Sequence, residues 1–275
     1  MKGKDNLLVQ LGHIQELLIF SLDIPDENVS HKQELADLKN IIQDLEKAGK
    51  LTSEGQSDLL DKLNKLGILY YSHFERTGNT ADLAGAIQNF QQAVKLAPKD
   101  HLDLPKWLSN LGISYQSRFE RTGEMAELVV AIQNLQQAVN LSPDGYSHLP
   151  NILNNLGISY QSCFEIGGEV VDWADAKQNL EQAVKLSPKG HSDLPSRLSN
   201  LGNLHHSCFE RTGAMADLAL AIQNLQEAVE LTSEGHSNLP NILNNLGISY
   251  QSHFERTGKI EDLERAIQTG CETYT

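Results

Sequence analysis

Ten histidines, three cysteines and several ladders of side-chain amides are the groups in this 275-residue chain whose types could do chemistry. A metal site or an acid–base pair needs such groups to converge on one point. His101, His191 and His236 instead occupy one recurring position, spaced by multiples of forty-five residues, and His205 and His206 are neighbours in the chain. Recurrence at that interval spaces equivalent residues one structural unit apart, so the histidines read as polar loop or surface groups. Cys163, Cys208 and Cys271 form no CxxC pair and leave an odd count. That argues against a disulfide framework and a zinc site, and it fits a reducing, cytoplasmic setting. No GxxxxGKS/T, GxSxG, HExxH or GxGxxG occurs, so the expectation is no enzyme, no cofactor and no metal.

The bulk numbers narrow the partners. A formal net charge of −14 repels phosphate backbones and anionic lipid, which makes nucleic acid and membrane surfaces poor candidates. The opening MKGKDNLLVQLGHIQELLIF is broken by Gln10, His13, Gln15 and Glu16 and is followed by no small-residue cleavage site. It reads as an amphipathic helix rather than a signal peptide. No run approaches the ~18 apolar residues of a membrane span.

The elements that must position these groups are written in the repeat. Leu-Gly recurs at 66–67, 111–112, 156–157, 201–202 and 246–247, in steps of forty-five. A Phe follows seven residues after each glycine, at Phe74, Phe119, Phe164, Phe209 and Phe254. ERTG follows at 75–78, 120–123, 210–213 and 255–258, and the third unit has EIGG instead. LPNILNNLGISYQSCFE at 149–165 returns at 239–255 with only Cys163 changed to His253.

Each unit reads as two helices. Leu104, Leu108, Leu111, Tyr115 and Phe119 form a stripe spaced by three and four, and Leu128, Ala131, Ile132, Leu135, Ala138 and Val139 form a second. Pro105 suits a first turn and Gly123 a left-handed cap. Gly112 is read as permitting close approach of the two helices, opposite the small Ala131. Strand signals are absent. The fold expected is all-α, a right-handed solenoid of antiparallel helix pairs.

The motif L-x2-L-G-x2-Y … A-x3-L/F … A-x4-P resembles the tetratricopeptide repeat. The matching residues of one unit are Leu108, Leu111, Gly112, Tyr115, Ala131, Leu135, Ala138 and Pro143. Leu stands where the family has Trp, and the unit is longer than the usual ~34 residues, which implies helices of about 18 residues and roughly 27 Å. The wording NLG…RFERTG…DL..AI also resembles the arrays of large fungal proteins, several of which carry a caspase-like domain of the CHAT type. No such domain is present in this sequence, so no protease activity is carried over.

The expected organisation is an N-terminal helical cap at 1–33, a partial repeat at 34–56, and repeats at 57–101, 102–146, 147–191 and 192–236. A shortened repeat at 237–268 and an out-of-phase tail at 269–275 follow. The resemblance implies binding on the inner wall formed by the first helices, by a protein or peptide partner. The wall residues are Asn110, Asn154, Asn155, Asn200, Asn244, Asn245, Gln116, Gln161, His206 and Gln251. These groups can donate and accept together, which suits an extended peptide backbone. The function expected is an interaction scaffold or adaptor. The alternative is the recognition part of a larger signalling protein with a CHAT-type effector, and weak self-association through the shortened last repeat is a further expectation. The arginines Arg76, Arg121, Arg211 and Arg256 are read as pairing with nearby acids or capping helix-end carbonyls.

Overall fold

The computed structural model describes residue 40 and residues 53–272. The expected cap at 1–33, most of the partial repeat at 34–56 and the last three residues lie outside that range. Ten helices and no strand are found among the described residues. They fall into two compact units, 53–148 and 149–272.

The first unit contains α1 (Ser53–Thr77), α2 (Thr80–Leu96), α3 (Leu104–Thr122) and α4 (Met125–Leu141). The second contains α5 (Leu149–Gly167), α6 (Val170–Lys185), α7 (Leu194–Thr212), α8 (Met215–Leu231), α9 (Leu239–Thr257) and α10 (Ile260–Glu272). Odd and even helices pair as α1/α2, α3/α4, α5/α6, α7/α8 and α9/α10. Within each unit the pairs stack side by side, so each unit is a solenoid segment of antiparallel helix pairs.

First helices after α1 have 19 residues, and the complete second helices have 16 or 17. Proline explains where most first helices begin. Pro105, Pro195 and Pro240 sit in the first turn, where the missing N–H costs nothing. Leu60 stands at that position in the first pair, and α1 runs upstream to Ser53, before the repeat boundary expected at 57.

ERTG is one device for ending a first helix. The threonine hydroxyl donates back to the carbonyl four residues earlier and accepts the N–H two residues on. In the second pair these are Thr122 to Arg118 at 3.0 Å and Glu124 to Thr122 at 3.2 Å. The glycine adopts φ 71° at Gly123 and donates its N–H to the Phe119 carbonyl at 2.7 Å. A side chain is strained at that φ, and glycine is not.

The core stripe is buried as the spacing predicts, with Leu108, Leu111, Leu128, Ala131, Leu135 and Ala138 all inside. The glycine of Leu-Gly is required by close approach. A Cβ on Gly112 would lie 2.7 Å from Leu135 Cγ and 3.1 Å from the Ala131 carbonyl oxygen. Ala131 thus contributes its backbone, and the side chain facing the glycine is Leu135. In the last pair the wording changes after Gln268, yet α10 continues to Glu272. Thr269 closes over Gly247 there, and its hydroxyl donates to the Arg265 and Ala266 carbonyls.

Candidate functional site: the first-helix wall and its ladders

Adjacent first helices are joined by polar contacts, several of which share one offset, while Ser207 reaches Glu165 across forty-two residues. Asn110 Nδ2 donates to Asn64 Oδ1 at 3.1 Å, and Asn200 Nδ2 donates to Asn154 Oδ1 at 3.0 Å. Tyr71 Oη and Ser117 Oγ lie 2.7 Å apart, and His206 Nε2 and Ser252 Oγ 3.1 Å. Arg211 Nη2 donates to the Glu165 carbonyl at 2.6 Å. In each of these five contacts the two residues are forty-six apart. The repeat is forty-five, so a residue touches not its equivalent but the neighbour of its equivalent in the next pair.

The ten wall residues read from the sequence divide by burial. Asn110 and Gln116 are 0 % exposed, and Asn155 (2 %), Asn154 and His206 are also buried. Asn200, Asn244, Asn245 and Gln161 are partly exposed, and Gln251 is exposed. Gln161 and Gln251 donate to Glu165 and Glu255 one turn on, at 2.8 and 3.0 Å. The asparagines are therefore interior on α3 and α5 and partly exposed on α7 and α9. Burial lowers the proton affinity of His206 and favours its neutral form.

A glutamate stands in the last turn of each of α1, α3, α5 and α7. Burial raises Glu75, Glu120, Glu165 and Glu210 above the ordinary carboxylate range, and Glu120 reaches about 7. For Glu120 desolvation outweighs the Gln116 hydrogen bond and Arg121, while Glu75 adds to the rise. Three of the four ERTG arginines pack on aromatic rings. Arg121 lies over the Phe74 ring at 5.3 Å, Arg211 over Phe164 at 5.1 Å and Arg256 over Phe209 at 5.6 Å, so each covers the phenylalanine of the preceding pair. Arg211 also caps a helix-end carbonyl, where a cation is favoured.

The histidines serve turns and ties. Nδ1 of His101, His191 and His236 each accepts a backbone N–H two residues on, at 3.1 to 3.2 Å. Sequence reasoning spaced these apart, yet His191 and His236 line one hollow of about 200 Å³ with Leu194, Pro195, Leu231 and Thr232. No group of three or more His, Cys, Asp or Glu that could hold a metal occurs among the described residues. A second feature escaped the sequence reading. His73 binds Asp82, Arg118 binds Glu127 and His253 binds Asp262, at 2.7, 2.5 and 2.7 Å, tying the end of a first helix to the start of its second. The signal available was a His or Arg followed nine residues later by an acid. Cys163 and Cys208 fall in the position of the His or Arg. In the fourth pair His205 meets Asp217 instead, at 2.8 Å.

Residues 241–274 match the sequence profile of the tetratricopeptide repeat. That last unit is a tetratricopeptide repeat by its sequence. The other four Leu-Gly units share that wording in strict phase. Among solved structures, BtubC (BKLC) from P. vanneervenii is similar with TM-score 0.61 at 16% identity, covering 89% of this chain and 92% of that one. A putative kinesin light chain from Podospora anserina with nearly identical TPR-like repeats is similar with TM-score 0.54 at 16% identity, covering 78% and 96%. The Pseudomonas aeruginosa pilF protein gives TM-score 0.52 at 16% identity over 78% of each chain. No curated protein sequence matches. Tetratricopeptide repeats generally serve as protein-interaction scaffolds, and stacked repeats create extended binding surfaces. No helix among the described residues is long and apolar enough to cross a membrane.

Proposed function

We propose that this chain is a non-enzymatic scaffold that binds an extended peptide segment of a protein partner along the wall of its first helices, in the cytoplasm. The observation that carries the reading is the exposure of the asparagines on α7 and α9. There Asn200, Asn244, Asn245 and Gln251 are partly or fully exposed. Asn244 and Asn245 can pair with a peptide backbone at solvent-facing positions, and Asn200 would exchange its bond to Asn154 for one to the peptide. The net charge of −14 and the desolvated carboxylates favour a segment that is neutral or basic.

A displayed library of random extended peptides tests this. Peptides selected on the full chain lose tenfold or more in affinity against Asn200→Ala/Asn245→Ala, while helicity by circular dichroism is kept. Equal affinity for both proteins overturns the groove reading. The second reading, a recognition arm serving a caspase-like effector, is supported by the repeat wording and by the change of phase after Gln268. Sequencing the native transcript beyond Thr275 decides it.

A further inference from the structure

We propose that the third helix pair holds a docking site for an arginine side chain of a partner polypeptide, formed by Tyr160 of α5 with Asp172 and Asp175 of α6. The second pair shows the same arrangement filled from within the chain. There Arg118 binds Glu127 at 2.5 Å, and its guanidinium lies over the Tyr115 ring at 4.8 Å. An aromatic face and a carboxylate thus hold one guanidinium between them. Tyr115 is buried there.

Forty-five residues on, the ring and the acid are kept and the guanidinium is gone. Tyr160 stands for Tyr115, Asp172 for Glu127 and Cys163 for Arg118, and all three are partly exposed. They remain neighbours. Burial, followed by Asp175, Cys163 and Asp172, raises the Tyr160 hydroxyl above its ordinary range, and Asp172 adds to burial in pushing up the Cys163 thiol. A second acid is also supplied. Asp175 stands where the other second helices carry Gly85, Val130, Leu220 and Arg265.

The acid at this position is matched in every other pair, as His73 with Asp82, Arg118 with Glu127, His205 with Asp217 and His253 with Asp262. Asp172 and Asp175 form no ion pair among the described residues. Lys177 of the same helix is turned to the Trp173 ring at 5.1 Å and to Glu181 at 3.8 Å.

The missing charge and the ring specify the occupant. A guanidinium is planar, stacks on an aromatic face and forks onto carboxylates, whereas an ammonium is a compact, strongly hydrated point charge. Val170 and Val171 are exposed just before Asp172 in the chain, which favours apolar residues flanking the arginine. The net charge of −14 draws a cationic segment toward the site. None of its residues belongs to the amide wall, so this inference does not rest on the groove reading.

The experiment uses the full chain and a fluorophore-labelled peptide, acetyl-Gly-Val-Arg-Val-Gly-amide, titrated by fluorescence anisotropy. Saturable binding is expected, and about tenfold weaker binding of the peptide with lysine in place of arginine. Cys163→Arg supplies the guanidinium from within and should abolish binding. Asp172→Asn should weaken it tenfold or more, with circular dichroism showing both variants folded. Absence of saturable binding overturns the proposal, as does unchanged affinity in both variants. Equal affinity for the lysine peptide overturns it too, because that is attraction between net charges alone. N-acetyl-arginine amide supplies the last arm. Competition by it at the peptide's own concentration would make the occupant a small molecule and overturn the assignment to a partner polypeptide.

Discussion

The second and third helix pairs share a backbone plan and part company in how their two helices are tied. In the α3/α4 pair Arg118 binds Glu127, and Leu128 beside it is fully buried. In the α5/α6 pair Cys163 stands for the arginine, Trp173 for the leucine and Lys177 for an isoleucine. Trp173 is only partly buried, its indole N–H has no hydrogen-bond partner, and Lys177 lies over its ring at 5.1 Å. Val170 is 75 % exposed, and Ile166 and Val171 are exposed beside it in sequence. Both pairs keep the glycine contact, with Gly157 facing Leu180 as Gly112 faces Leu135. Close helix approach is thus the indispensable term. The polar tie is an adjustable one.

The largest test is whether the shared contact dominates both pairs. Gly112→Ala and Gly157→Ala should each cost about 3 kcal/mol, because the new methyl meets a leucine branch and a backbone carbonyl that cannot retreat. Hydrogen exchange resolved by helix measures this without assuming one cooperative transition. Equal losses confirm that the pairs share this term, and a much smaller loss at Gly157 would show the third pair already loosened.

Rebuilding the tie sharpens the contrast. Cys163→Arg places a cation beside Asp172, whose proton affinity is raised by burial and then by Asp175 and Glu169. Together with Trp173→Leu it should stabilise the third pair by about 1 to 2 kcal/mol, and Arg118→Ala should weaken the second by about 1 kcal/mol, both read by denaturant melts. No gain on rebuilding would mean that the third pair is held by something other than this contact.

A pH-dependent difference of roughly 3 kcal/mol between pH 4 and 8 is expected from Glu120. Its folded pKa, about 7, lies above the unfolded value near 4.5, so the folded state holds the proton more tightly. The carboxyl therefore costs least below pH 4.5, and stability is lost as the pH rises from there through 7. Glu120→Gln should be more stable than the parent at pH 8 and indistinguishable from it near pH 4, by thermal melts at both values. Smallest is a rate effect. Burial and the nearby Asp172 push the Cys163 thiol up to about 11, so iodoacetamide should label it slowly at pH 7.5 and faster in Asp172→Asn.

How much of this the sequence carried depends on how local the cause is. The helix pair follows from Leu108, Leu111 and Leu135 at three- and four-residue spacing, from Pro105 and from Gly123, each acting within a few residues. α1 runs upstream to Ser53 because Leu60, unlike proline, does not stop a helix from running upstream. The wall was harder. Asn110, Asn155 and Asn200 look equivalent in the sequence, yet their burial depends on the neighbour each helix receives. The period of forty-five suggests that equals stack on equals. Side chains lean along their helix, so contacts form between unequal partners, and no reading of one unit alone shows it.

The forty-six-residue offset has a consequence for how such a chain can change. The amide joint is carried by alternate units: Asn64 meets Asn110 and Asn154 meets Asn200, while Ser109 and Ser199 stand where Asn64 and Asn154 do, and Ser109 Oγ has no hydrogen-bond partner. Blocks of ninety residues can therefore be duplicated, deleted or exchanged by unequal recombination with the amide joint kept. A single substitution at Asn154 or Asn200 has no such freedom, because its counterpart is encoded in a different block. Inheritance by the block is the easy route for this molecule, and change by the letter is the hard one.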